Sequence, residues 1–173
     1  VLNMSFGVGN EVEGQARIDR LVDSVLALHP EVVFAISAGN DGPGLSTMGF
    51  PGSAARAISV GATFPSVFLG ASGKGGESAK PDIVTPGLAY STVPRWSTGD
   101  ERKGGTSMAS PHAAGLVALL LSGLVQEGRT PDARQIRQAL MVTARPLPSA
   151  SYLDDGTGQP DVSLAWRWLA QDR

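Results

Sequence analysis

Apolar and polar positions along the chain follow two different periods. Ile18, Leu21, Val22, Val25 and Leu28 recur at helical spacing, which predicts an amphipathic helix from about Gln15 to His29. Other apolar stretches are continuous. Val1 to Phe6, Val32-Val33-Phe34-Ala35-Ile36, Ala57-Ile58-Ser59-Val60 and Ile83-Val84 read as short buried strands. Two more helices are expected, from about Ser107 to Ser122 and from about Asp132 to Thr143, the second with Pro131 near its first turn. Asp161 stands where it can cap a last helix running through Leu169, with Trp166 packed inward. Strands without a polar face, joined by helices, predict an α/β fold: a three-layer sandwich around a mostly parallel sheet. No repeat or low-complexity linker divides residues 1–173, so they form one domain or most of one.

Composition narrows the function classes. With 173 residues, 42% of them hydrophobic, the chain can bury a real core. A net charge of −2 without any Lys/Arg stripe argues against nucleic acid as a partner. The apolar stretch from Ala113 to Leu121 is short for a bilayer span and is flanked by glycine, so no membrane partner is expected. There is no cysteine, which excludes disulfides and thiolate metal sites and leaves the compartment, secreted or cytoplasmic, open. No other metal constellation stands out, and neither a metal nor a cofactor is expected. The opening Val1-Leu2-Asn3-Met4-Ser5-Phe6-Gly7 reads as a core strand cut open at its start.

Two segments carry chemistry. In Gly105-Thr106-Ser107-Met108-Ala109-Ser110-Pro111-His112-Ala113-Ala114-Gly115, a serine stands among small residues at a turn that opens an apolar helix. Gly105 permits the turn, Ala109 leaves room for a substrate carbonyl, and the helix aims its positive end at the serine, which is what a serine nucleophile needs. The second segment, Ser37-Ala38-Gly39-Asn40-Asp41-Gly42-Pro43-Gly44, follows a buried strand, where α/β proteins place ligand loops. Alone it is an ordinary turn; beside the serine, Asn40 can donate its amide to an oxyanion.

The run Gly105 to Gly115 resembles the nucleophile motif of the subtilisin-like serine proteases (subtilases), and Ala38-Gly39-Asn40 resembles the family's oxyanion element. Val1 to Gly7 is similar to the strand that pairs with substrate, with Ser5, Phe6 and Gly7 lining the specificity pocket. Met48-Gly49-Phe50-Pro51-Gly52 is similar to the loop at the pocket floor, which implies a cis Phe50–Pro51 bond. Lys80-Pro81-Asp82-Ile83-Val84-Thr85-Pro86-Gly87 resembles the stretch before the nucleophile loop. Leu45-Ser46-Thr47, Ser91-Thr92-Val93-Pro94-Arg95-Trp96 and Leu121-Ser122-Gly123-Leu124 look closer to the tripeptidyl-peptidase II branch. The resemblance spans nearly all 173 residues but only the later part of the family's domain, an incomplete subtilisin-like fold. It implies a serine peptidase acting on peptide or protein substrates through an acyl-enzyme on Ser107. Asn40 and the Ser107 N–H would hold the oxyanion. Ser5, Phe6, Gly7, Ser37, Ala38, Gly39, Gly49 and Thr106 would form the substrate-binding surface, without an obvious buried charge.

Departures bear on activity. The family's triad Asp and His precede its serine, and no Asp-Thr/Ser-Gly or His-Gly-Thr-His segment exists here. His29 reads as a solvated helix-end residue. His112, five residues after Ser107 on one helix, is turned roughly 140° away and cannot take its proton. A serine without a base is a poor nucleophile, so these 173 residues alone are expected to be nearly inactive. The alternative is a pseudoprotease that only binds peptides. An α/β-hydrolase elbow fails because its acid and then its His must follow the Ser in order. Lys74 and Lys103, in polar Gly-rich loops, offer little as bases. Asp41, Asp82 and Asp161 read as turn and cap residues. Gly70-Ala71-Ser72-Gly73-Lys74-Gly75-Gly76 departs from a Ser-Ser-x-Gly-Pro segment of relatives. An uncovered strand at Val1 to Phe6 is expected to promote self-association through its edge.

Overall fold

The four apolar runs form one parallel sheet. In the computed structural model β1 (Leu2–Met4), β2 (Phe34–Ser37), β3 (Ile58–Thr63) and β4 (Ile83–Pro86) lie side by side in chain order. Leu2 stands opposite Phe34, Ala35 opposite Ile58 and Val60 opposite Ile83, each pair parallel. A short antiparallel ribbon of β5 (Leu88–Tyr90) and β6 (Arg102–Gly104) follows. The helices are α1 (Arg17–Leu28), α2 (Thr106–Gln126), α3 (Ala133–Val142), α4 (Tyr152–Asp155) and α5 (Val162–Gln171). The structure describes residues 1–9, 12–64, 72–90, 102–130, 132–148 and 150–171. Pro131, Gly70, Ala71 and the Ser91 to Trp96 segment, on which sequence expectations fell, lie outside them.

Alternation along β2 assigns the two faces. Phe34 and Ile36 meet Val22 and Leu26 of α1, together with Ala54 and Ala57. Val33 and Ala35 face the other way, with Ile58, Val60, Ala62 and Ile83, onto the buried stripe Ala109, Ala113, Val117, Leu120 and Leu124 of α2. Behind α2 lie α3 and α5, bringing Ile136, Leu140 and Leu169 into the same core. Three layers result, as the pattern predicted. With 21 residues and a mean hydropathy of 1.6 in its apolar window, α2 is long and apolar enough by composition to cross a membrane; here its stripe lies on the sheet. It runs past the predicted Ser122 because Gly123 does not end it. A Cβ at Gly123 would stand 2.7 Å from the Trp166 ring, so that glycine makes room for α5.

The helix ends follow local chemistry. Asp132 caps α3 by accepting the Arg134 N–H at 2.7 Å, and Asp161 accepts those of Ser163 and Leu164 at 3.0 Å, at the start of α5. Ser151 and Asp154 form a capping box on α4, an element the apolar pattern did not predict.

Asp82 is no turn residue, contrary to the expectation. It is buried, and its Oδ2 accepts from the Ser59 N–H at 2.8 Å and from Lys80 Nζ at 2.7 Å. Its Oδ1 accepts from Arg137 Nη2 at 2.6 Å, which ties α3 to the start of β4. Burial pushes the Lys80 ammonium below the ordinary lysine range, while Asp82 pulls it back up. Asp82→Ala would leave Lys80 buried without its counter-charge. The expected loss is about 3–5 kcal/mol of unfolding free energy in urea titrations, and a loss under about 1 kcal/mol would show that the cluster is dispensable.

Candidate functional site

The carboxyl ends of β1 and β2 and the start of α2 converge at Ser107. Gly105 precedes α2 with φ of 137°, a conformation that side chains rarely adopt. A Cβ there would also come within 3.0 Å of Asn40 Oδ1. That space lets Asn40 reach the helix. Its Oδ1 accepts the Thr106 N–H at 2.9 Å, while Thr106 Oγ1 lies 3.1 Å from Gly39 O and 3.2 Å from Asn40 Oδ1. The acceptor side of the Asn40 amide is thereby committed to α2, and Nδ2 remains as its donor.

Ser107 occupies the second position of α2, where helix geometry offers its N–H no intrahelical acceptor. Its Oγ donates to Ser5 O at a long 3.2 Å. Pro111, four residues on, has no N–H to give the Ser107 carbonyl. Ser110 Oγ lies 2.7 Å from Asn3 Oδ1 and 3.0 Å from Ala35 O, pinning the first turns of α2 to β1 and β2. From the other side Thr85 Oγ1 donates to Ala109 O at 2.7 Å.

A cavity of about 350 Å³ opens here, lined by Ser5, Phe6, Gly7, Val8, Ser37, Gly39, Asn40, Asp41, Gly49 and Ser107. Eight of the ten residues expected at the site therefore share one concavity. The other two differ in position. Ala38 and Thr106 are fully buried, so they support the wall rather than form its surface. Ala38 donates to Val60 O and accepts from Gly49, and Gly73 donates to Gly39 O at 2.7 Å. The Val8 and Phe50 backbones exchange hydrogen bonds of 3.2 and 3.1 Å, fastening the chain after β1 to the cis Phe50–Pro51 loop.

Asp41 and Val8 were not foreseen. Asp41 read as a turn residue but is exposed and borders the cavity, adding a carboxylate where no charge was expected. The supporting groups Asn3, Ser110, Thr85 and Gly73 also went unnoticed. Only Ser110 carried a signal, standing one helical turn beyond Ser107.

Neither histidine reaches the cavity. His29 caps α1 and pairs with Glu31 at 3.3 Å, while His112 Nδ1 bonds the Pro86 carbonyl at 2.9 Å. Lys74 is not a free loop lysine but pairs with Asp154. Burial would raise the Asp154 carboxyl, yet hydrogen bonds from Lys74 and Ser151 outweigh it and hold the pKa below its ordinary value. Lys103 lies in β6. Among the described residues no three metal-ligating side chains come together.

Residues 1–163 match the subtilase family. Pyrolysin of Pyrococcus furiosus is 35% identical over 178 residues, covering 80% of this chain and 13% of pyrolysin. Tripeptidyl-peptidase 2 of Drosophila melanogaster is 32% identical over 194 residues, covering all of this chain and 13% of that protein. Among solved structures, the patellamide maturation protease PatA superposes with a TM-score of 0.81 at 29% identity, over 98% of this chain and 62% of that one. The prenylagaramide maturation protease PagA gives 0.81 at 26% identity, over 96% and 60%. The chain belongs to the subtilase family, with tripeptidyl-peptidases 2 among its relatives.

Gly105→Ala should cost about 1–3 kcal/mol, because it forces a side chain into a glycine conformation. It should also shift the Asn40 side-chain amide resonances. Unchanged resonances and an unchanged urea midpoint would show that Asn40 does not depend on this approach.

Proposed function

We propose that these residues form the serine-bearing part of a subtilisin-like peptidase that cleaves peptide bonds through an acyl-enzyme on Ser107. The observation that carries this is the Thr106 N–H to Asn40 Oδ1 hydrogen bond, which fixes an amide donor beside a serine at a helix N-terminus. Substrate backbone would lie along Ser5, Phe6 and Gly7, with one side chain in the cavity beside Gly39 and Gly49. Ser107 Oγ attacks the scissile carbonyl carbon as a histidine takes its proton. The oxyanion is held by Asn40 Nδ2 and the Ser107 N–H, and collapse expels the amine, which leaves with that proton. Water then hydrolyses the acyl-enzyme along the reverse proton path.

The base is the open component. His29 and His112 are the two histidines of the 173 residues, and both are engaged elsewhere. In this reading the histidine, and the Asp that orients it, come from polypeptide beyond these residues. The chain spans only 13% of pyrolysin and of the fly tripeptidyl-peptidase 2. A second reading, a peptide-binding pseudoprotease, is favoured by the Ser107 hydroxyl bonding a carbonyl rather than an imidazole.

In the whole protein, Asn40→Ala should lower kcat about 10²–10³-fold with KM nearly unchanged, the size known for removing one such donor in subtilisin itself. Ser107→Ala should lose more. A change confined to KM would refute the oxyanion role of Asn40. The 173-residue chain alone should resist labelling by a serine-directed phosphonate, and rapid stoichiometric labelling of Ser107 would mean that it contains its own base.

The outer edge of β1 has no strand against it among the described residues, and Val1, Leu2, Phe6 and Val8 are exposed beside it. We propose that this edge pairs with another strand, a second copy included. Sedimentation should show concentration-dependent association that Leu2→Lys abolishes; a monomer at every concentration would exclude pairing between copies.

A further inference from the structure

The largest cavity described, about 830 Å³, lies not at Ser107 but at the opposite end of the sheet. Its apolar wall includes Val33, just before β2, Ile58, at the start of β3, and Met141 of α3. Three arginines also line it, Arg56, Arg134 and Arg137, and no acidic side chain does. Parallel strands make the two ends chemically distinct. Val33 borders this cavity and Ser37 the Ser107 cavity, about 13 Å apart at ~3.3 Å per residue, with the packed core between them.

The arginines are incompletely used. Arg137 is held in the wall through Nη2 by buried Asp82 at 2.6 Å, and its Nε is itself buried, which leaves the exposed Arg56 and Arg134 to meet a ligand. Arg134 meets Asp132 at 3.5 Å with its side chain 80% exposed, a geometry that contributes little. The Arg56 backbone N–H donates to Asp23 Oδ1, but no ion pair of its guanidinium is found among the described residues. The two exposed guanidinium forks match a planar oxyanion, and the apolar floor beside them favours a carboxylate that adjoins apolar groups. A chain terminus presents both from a single Cα, and the Gln138 side chain on the same wall can bond the preceding amides. The volume lies in the range of small-ligand sites.

We infer that this cavity binds a peptide ending in a free carboxylate with apolar terminal residues, at a site separate from the Ser107 cavity and independent of whether Ser107 is catalytic. The probe is a fluorescein-labelled decapeptide of glycine and serine ending in Leu-Val, with a free carboxylate or a terminal amide. Anisotropy titration of the 173-residue chain should show the acid binding about tenfold or more tightly than the amide, since charge-assisted hydrogen bonds are lost on amidation. Arg56→Glu/Arg134→Glu should weaken the acid at least as much. Both side chains are exposed, and circular dichroism with the Arg56→Ala/Arg134→Ala pair separates charge from folding. Ser107→Ala should leave binding unchanged. Equal affinity for acid and amide, insensitivity to the arginine variants, or loss in Ser107→Ala would overturn the proposal. Displacement of the peptide by decanoate at a lower concentration than by unlabelled peptide would overturn the peptide as occupant in favour of a fatty acid.

Discussion

The hydrogen bond from the Thr106 N–H to Asn40 Oδ1, 2.9 Å long, joins the loop after β2 to the first turn of α2. What makes it possible is a missing side chain, since any Cβ at Gly105 would crowd Asn40. What makes it matter is the geometry it imposes. An unrestrained asparagine amide can present either face, and this one is left with its donor free. The bond itself is worth only about 1 kcal/mol. Position comes from elsewhere: burying Val117, Leu120 and Leu124 of α2 contributes about 1.5–3 kcal/mol each and sets where the helix lies on the sheet. Packing places Ser107, and hydrogen bonds orient the groups around it.

The parts of the fold legible in the sequence are those whose physics is local. The α1 stripe, the apolar β2 and β3, and the Asp161 cap needed only neighbouring residues to be recognised. The end of α2 was not legible in this way, since the helix continues through Gly123, where the missing side chain makes room for the Trp166 ring. Asp82 shows the limit more sharply. Lys-Pro-Asp looks like a turn, and the partner that makes it structural, Arg137, stands 55 residues further on. The three-residue strands β5, half-buried, and β6, exposed, are too short to show a period.

The site was legible to a different depth. Motif resemblance brought Ser107, Asn40 and the glycine loops together, and they do share one cavity. It could not say which members face inward. Ala38 alternates into the core as the strand direction continues past β2, and Thr106 is turned under the helix toward Gly39. Asp41 went the other way, from turn filler to cavity border. Such assignments depend on the path of the backbone between distant segments.

Among the described residues, the histidine nearest Ser107 in sequence, His112, is engaged away from it. The Ser107 end of the sheet presents the Asn40 amide and the positive end of α2. The one histidine on α2 is spent on structure. Its Nδ1 meets the Pro86 carbonyl, and Thr85 on the same strand end bonds Ala109, so β4 holds the first turns of α2. Turning His112 toward Ser107 would require unwinding the helix whose start supplies the Ser107 N–H. The contacts that fix the start of α2 therefore also keep this imidazole away from Ser107, whose open side faces the cavity bordered by Ser5 and Asp41.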